Sequence, residues 1–275
     1  MYLWPSSPRL RTGVWLAVHY FHDLRRTFRQ YDPEFVYRKS DSSLVAQVGA
    51  ALRLGPVEIS AAVPFVGLFT ASFYDGEVID RQARKVDRAD LRLGLKYGIR
   101  VKRGQDLWLF TPYLVLTAPT GTRESYEVAL SGHPVQHYTV PPRGVSVLPG
   151  FAVGWRRTMW SAVVSVGGLV NVPVEDTDKV SVAEDPTGLE ASLMTAYQFG
   201  FTPFRDLSVT MALLHVRELY RVDQEKRDLF MAAPGLRLQP YLGLYGHIGV
   251  MAPLGRVSRR AQPLMLTLQA GWEFR

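Results

Sequence analysis

Few residues of this chain are suited to chemistry. His133 and His137 stand close together in a polar stretch, 119–142, that also carries Glu124, Glu127 and the Pro141–Pro142 pair. Imidazole with carboxylate is a donor set for a divalent metal, but no third ligand is matched to the two histidines and there is no cysteine to supply a thiolate. The stretch reads instead as an external loop folded into or over the mouth of a barrel. Ser60, Ser161, Ser165, Ser192 and Ser208 offer hydroxyls inside strand patterns, with no neighbouring base to activate them. No nucleotide-binding glycine loop, H-E-x-x-H arrangement or paired carboxylates stand in a persuasive context. Neither a metal nor a cofactor is implied, and the chain is not expected to be an enzyme, although a site assembled from distant strands would leave no local motif.

The remaining polar groups are informative through their spacing. In Asp90–Val101, DLRLGLKYGIRV, the odd positions are Leu91, Leu93, Leu95, Tyr97, Ile99 and Val101, and the even ones include Arg92, Lys96 and Arg100. Strict alternation gives a strand one apolar and one charged face, whereas a helix would scatter the same residues around its surface. The pattern returns at Leu189–Phe201, at Leu236–Val250 and at Leu264–Phe274. These runs exceed the five or six residues common in soluble strands and suit tilted membrane-crossing strands of roughly nine to eleven. Less regular strand patterns lie at 12–23, 43–54, 57–65, 107–118, 146–156, 159–170 and 207–219, several with apolar residues on both faces.

Short links at 55–56, 102–106, 157–158 and 202–206 alternate with long polar ones at 24–42, 66–89, 119–145, 171–188 and 220–235. A barrel with tight periplasmic turns and long external loops produces that alternation, because successive hairpins open on opposite sides. The fold class is therefore all-β, a transmembrane antiparallel up-and-down β-barrel occupying 1–275 as a single domain. Eleven strand segments are legible, and an even number is required, so about twelve strands are expected. The missing one belongs in 220–262 or in the N-terminal forty residues.

Composition agrees. The chain has 275 residues, a 47% hydrophobic fraction, 23 glycines, 13 tyrosines and 13 phenylalanines, and no apolar run long enough for a spanning helix. The net charge of +7 is scattered over alternate strand ends, including the pairs Arg25–Arg26, Lys102–Arg103, Arg156–Arg157 and Arg259–Arg260. A nucleic-acid surface would need one concentrated basic face, so no nucleic-acid partner is expected. Such pairs suit the phosphates of lipid headgroups or lipopolysaccharide. Residues 1–10, MYLWPSSPRL, lack the features of a secretory signal, which is expected to lie outside this chain.

Two neighbouring segments carry a family resemblance. Asp87–Ile99, DRADLRLGLKYGI, followed by Pro112–Arg123, PYLVLTAPTGTR, resembles the strand–turn–strand signature of the outer-membrane proteins grouped with the phenol-degradation meta-pathway (MetA-pathway) transporters. Asp90, Leu91, Leu93, Gly94, Lys96 and Tyr97 fit that pattern, as do Pro119, Thr120 and Gly121, while Ala89 replaces a common glycine. Pro234–Leu244 is similar to the family's penultimate region. The terminal strand, ending Trp272-Glu273-Phe274 before Arg275, looks like the signal that barrel-assembly machinery recognises. The resemblance implies a twelve-stranded outer-membrane barrel, in a group suspected of moving small hydrophobic or aromatic compounds, and it supplies no catalytic residue.

If the aliphatic face meets lipid, Leu91, Leu93, Leu95, Tyr97, Leu193, Tyr197, Phe199, Leu266, Leu268, Trp272 and Phe274 point outward. Gln47, Arg53, Arg92, Lys96, Arg100, Arg156, Glu190, Gln198, Arg237, Gln239 and Glu273 then line the lumen. Trp4, Trp15, Tyr20, Trp108, Tyr113, Trp155, Trp160 and Phe201 are expected with the other aromatics in girdles at the headgroup level. The expected function is a passive outer-membrane channel or transporter for a small hydrophobic or anionic solute, with both termini periplasmic. Three alternatives remain open: arginine–carboxylate cross-links that close a narrow tube, a non-conducting barrel that anchors an envelope protein partner, and a soluble lipocalin-like barrel.

Overall fold

A computed structural model describes residues 10–22, 26–29, 36–74, 77–83, 87–88, 90–121, 125–128, 136–139, 144–173, 190–204, 207–220, 228–239, 243–255 and 264–274. Among them, twelve strands form one wall. These are β1 (Thr12–His22), β2 (Val36–Leu54), β3 (Val57–Tyr74), β4 (Leu91–Tyr97, continued by Ile99–Arg103), β5 (Asp106–Ala118) and β6 (Gly144–Arg157). They are followed by β7 (Trp160–Pro173), β8 (Glu190–Phe204), β9 (Leu207–Tyr220), β10 (Asp228–Leu238), β11 (Leu244–Leu254) and β12 (Leu264–Phe274). Each strand pairs antiparallel with its neighbours in sequence, and β1 closes on β12 from Thr12↔Phe274 to His22↔Leu264. Closure leaves no unpaired edge, which a strand wall in hydrocarbon requires.

Sequence accounts for the turns as well as the alternation. Gly55 and Gly104, at φ 59° and 61°, occupy the left-handed region in the β2–β3 and β4–β5 turns, where a side chain is disfavoured. Thr158 takes φ 46° in the β6–β7 turn. These tight turns and both ends of the wall, Thr12 and Phe274, lie at one rim. The links at the opposite rim are longer, except that the Asp228 start of β10 shortens the 220–235 link.

The twelfth strand comes from the 220–262 region. The run Leu236–Val250 is two strands, β10 and β11, separated by residues 239–243. That separation is an odd number of residues, so the same parity faces outward before and after it and the two strands read as one. Several strands also run past their expected ends. The wall holds Ser42 and Ser43 opposite Phe69 and Leu68, a region without apolar alternation, where β2 continues through its backbone pairing to β3. Glu77–Ala83 extends the ladder along β3, and Ser125–Val128 pairs with Gln136–Thr139 in a separate hairpin within the 119–145 link.

Alternate residues of the wall are buried and exposed. In a closed barrel the side on which side chains crowd one another is the inside. The opposite face carries a broad set of exposed apolar groups, among them Val14, Leu16, Leu93, Leu95, Val164, Leu213, Ile248 and Leu268.

Candidate functional site

Among the described residues, the buried polar and charged side chains face the barrel interior. At the end bearing the tight turns, Lys96 Nζ on β4 lies 2.9 Å from Glu58 Oε1 on β3, and both side chains are almost wholly buried, at 8% and 4% exposure. Leu10 and Arg11, just before β1, lie in this end of the lumen. Leu10 is buried against Gly98, where any side chain on β4 would collide with it, and the Arg11 backbone N–H donates to Glu58 Oε2 at 2.6 Å. On the neighbouring strand β12, Glu273 Oε1 stands 3.7 Å from Arg11 Nη1 and 3.5 Å from Arg237 Nη2 on β10. Both guanidinium groups also lie against the ring of Tyr245, at 5.6 Å and 5.3 Å from its centre, in cation–π range. Lys96, Glu58, Arg11, Glu273 and Arg237 thus form one girdle of alternating charge along the side of the mouth built by β10–β12 and β1–β4.

Farther up the barrel the lining changes. His19, at 1% exposure, sits with Nδ1 3.3 Å from Thr267 Oγ1. Tyr113 lies flat along the wall, covering Gly150 and donating from its hydroxyl to the Val166 carbonyl at 3.3 Å. Trp15 covers Gly49 and Tyr245 covers Gly271 in the same way, and in each case a Cβ on the glycine would overlap the ring. Glycine lets an aromatic side chain lie sideways instead of projecting across the tube. Beyond this level Met194, Val216, Leu229 and Met231 form a buried apolar cluster, with Leu148, Leu169, Leu214 and Met251 packed around it.

The expected lining residues divide accordingly. Lys96, Arg237 and Glu273 meet in the girdle, and Gln47, Arg92 and Gln198 are half-buried with inward parity. Arg53, Arg100 and Arg156 have that parity but sit exposed at the rim, because they fall within four residues of a tight turn. Gln239 is not on a strand; it follows the last residue of β10. Glu190 begins β8, and its side chain lies outside the described residues. Of the outward set, Leu93, Leu95, Tyr97, Leu193, Tyr197, Phe199, Leu266, Leu268, Trp272 and Phe274 are exposed, and Leu91 is half-buried.

Trp15 and Tyr113 are corrections, since both belong to the inside and not to an aromatic girdle. Trp4 and His133 lie outside the described residues, and His137 pairs through its backbone with Glu127. Sequence reasoning missed the apolar cluster and also Arg11, which lies ahead of the first strand pattern.

The segments that carry the family resemblance are joined physically. Asp90 Oδ1 accepts the Gly121 N–H at 2.8 Å, and Thr120 Oγ1 accepts the Leu91 N–H at 2.9 Å. Asp90 therefore clamps the Pro119-Thr120-Gly121 corner to the start of β4. Gly94 gives clearance to Ser60, and Lys96 reaches Glu58. Each of these motif residues has a structural role within the β3–β5 wall.

No family model matches the chain, and no curated protein is similar to it in sequence. Solved structures do share the fold. An outer membrane channel from Pseudomonas putida F1 superposes with a TM-score of 0.61 at 12% identity, covering all of both chains. The transport unit of the autotransporter AIDA-I from Escherichia coli gives 0.57 at 7% identity, over 100% of this chain and 93% of that one. The NanC porin gives 0.52 at 8% identity, over 96% and 99%. At such identities the likeness is one of architecture: the chain has the closed antiparallel barrel fold of outer-membrane proteins.

Proposed function

We propose that the chain is a passive outer-membrane channel for a small solute, in a group akin to the MetA-pathway transporters. The observation that carries this reading is the pairing of an exposed apolar outer face with a buried charged girdle inside a barrel closed from Thr12 to Phe274. Charge is tolerated at membrane depth where it faces a protein interior or water, and the outer face is compatible with hydrocarbon. Leu93, Leu95, Leu193, Leu266 and Leu268 meet lipid in this reading, while Trp108, Trp160, Trp272 and Phe274 mark the interface at the tight-turn rim. That rim, with both termini, faces the periplasm. The terminal strand β12 is the segment offered to the assembly machinery, and the long-loop rim meets lipopolysaccharide. Gln47, Arg92, Lys96, Gln198, Arg237 and Glu273 line the lumen, with an apolar stretch beyond them that suits a solute carrying hydrophobic surface.

Solute flux from liposomes tests the reading. The folded, heat-modifiable barrel is expected to accelerate release of small solutes over protein-free vesicles, and background release from a demonstrably folded protein refutes it. The buried cluster around Met194 and Met231 favours a second reading, a closed barrel that anchors an envelope partner. That reading expects no flux together with stoichiometric co-purification of another protein.

A further inference from the structure

We propose that the tight-turn mouth is an anion-selective filter whose central cation, Arg11, is delivered by the segment ahead of the first strand. The inference rests on the channel reading and specifies the sign of the solute that this mouth admits.

Three inward cations, Arg11, Lys96 and Arg237, share two carboxylates, Glu58 and Glu273. Lys96 and Glu58 are buried against each other, which leaves Glu273 between two guanidinium groups. Three further cations, Arg53, Arg100 and Arg156, stand exposed on the inward side of the same rim, and among the described residues no carboxylate pairs with them. Among the described residues the mouth is therefore positive on balance, and the low-dielectric wall focuses that field along the opening. Arg11 is not part of the wall. Its position depends on the Arg11 N–H bond to Glu58 and on Leu10 seated over Gly98, so these two residues narrow the mouth while Arg11 adds charge to it. A carboxylate or similar anion entering the mouth meets the same groups that hold Glu273, two guanidinium groups against the Tyr245 ring.

The test is the reversal potential across a planar bilayer in a potassium chloride gradient. Wild-type protein is expected to pass chloride over potassium by about fivefold, the preference set by a mouth potential of order kT. Arg11→Gln, which keeps the backbone bond to Glu58, is expected to lower the ratio about twofold. The rim variant Arg53→Gln/Arg100→Gln/Arg156→Gln lies outside the buried network and is expected to lower it without affecting folding. A wild-type ratio of one or less, or a ratio unchanged in both variants, overturns the filter while leaving the channel intact. A folded barrel with no conductance removes the channel reading and the filter with it.

Discussion

Breaking the Lys96–Glu58 pair measures how far the interior is removed from water. Lys96→Met removes the ammonium group but keeps the length of the stem, leaving a carboxylate at 4% side-chain exposure with the Arg11 N–H as its remaining described hydrogen-bond donor. Glu58→Gln leaves a buried ammonium facing a neutral amide. Each single change is expected to cost about 3 kcal/mol, because an uncompensated buried charge is worse than none. The double variant removes both charges and is expected to cost no more than about 1 kcal/mol in total, which makes the coupling energy about 5 kcal/mol. Urea unfolding in lipid vesicles, followed by tryptophan fluorescence and by heat-modifiable migration, reads all four corners of the cycle. Arg53→Gln, at the exposed rim, is the control and should shift stability by less than about 0.5 kcal/mol. Singles as mild as the control, or a double variant as costly as the two singles added, would refute a dry charged girdle.

Other substitutions address the outer face, the packing and the loop clamp. Leu268→Arg, on the exposed face near mid-strand, is expected to destabilise the barrel in vesicles by about 2–4 kcal/mol, against less than about 1 kcal/mol for the inward Gln47→Lys; equal costs would reverse the face assignment. Gly150→Ala forces a methyl into the Tyr113 ring and is expected to cost about 1–3 kcal/mol in the same unfolding assay, with Tyr113→Ala in the same chain restoring tolerance of the methyl. Met231→Ala opens a void in the buried cluster at a cost of about 2–5 kcal/mol, and solute flux should rise if that cluster obstructs the path. Asp90→Ala releases the Gly121 N–H and should increase the rate of tryptic cleavage at Arg123, measured by mass spectrometry on intact vesicles.

The architecture was legible because a barrel strand must alternate to satisfy lipid on one side and its own interior on the other. Asp90–Val101 shows this most cleanly, and it becomes β4 with Lys96 inward and Leu95 outward. Alternation fails as a guide where both faces are apolar. In β9 and β10, Leu213 and Phe230 are exposed while Leu214 and Leu229 belong to the interior cluster. No property of the residue types distinguishes the two sets; the register to neighbouring strands does. The same limit explains Trp15 and Tyr113. An aromatic ring suits the headgroup boundary or the lumen equally, and the deciding partners, Gly49 and Gly150, become neighbours only once β1 pairs with β2 and β5 with β6. The split of 236–250 escaped for a different reason, since the odd number of residues between β10 and β11 preserved parity.

In the proposed channel the interior is divided along its length, and the two parts act on different properties of a solute. The girdle of Arg11, Glu58, Lys96, Arg237 and Glu273 acts on the sign of charge through a field that salt weakens, with a screening length of about 3 Å at 1 M. The cluster of Met194, Val216, Leu229 and Met231 acts on hydration, because an ion passing it must shed water for contacts that return no hydrogen bond. Raising the salt should therefore erase the anion preference while leaving the low ion conductance imposed by the cluster. Methionine suits that position because its unbranched thioether side chain repacks around different shapes at small cost. A solute that combines a negative group with an apolar body satisfies both parts in turn, whereas a bare ion satisfies only the first. The order of the two environments, charge at the tight-turn mouth and apolar surface beyond it, is fixed by strand register. Moving Lys96 or Arg237 by a single residue along its strand would turn its charge onto the lipid face.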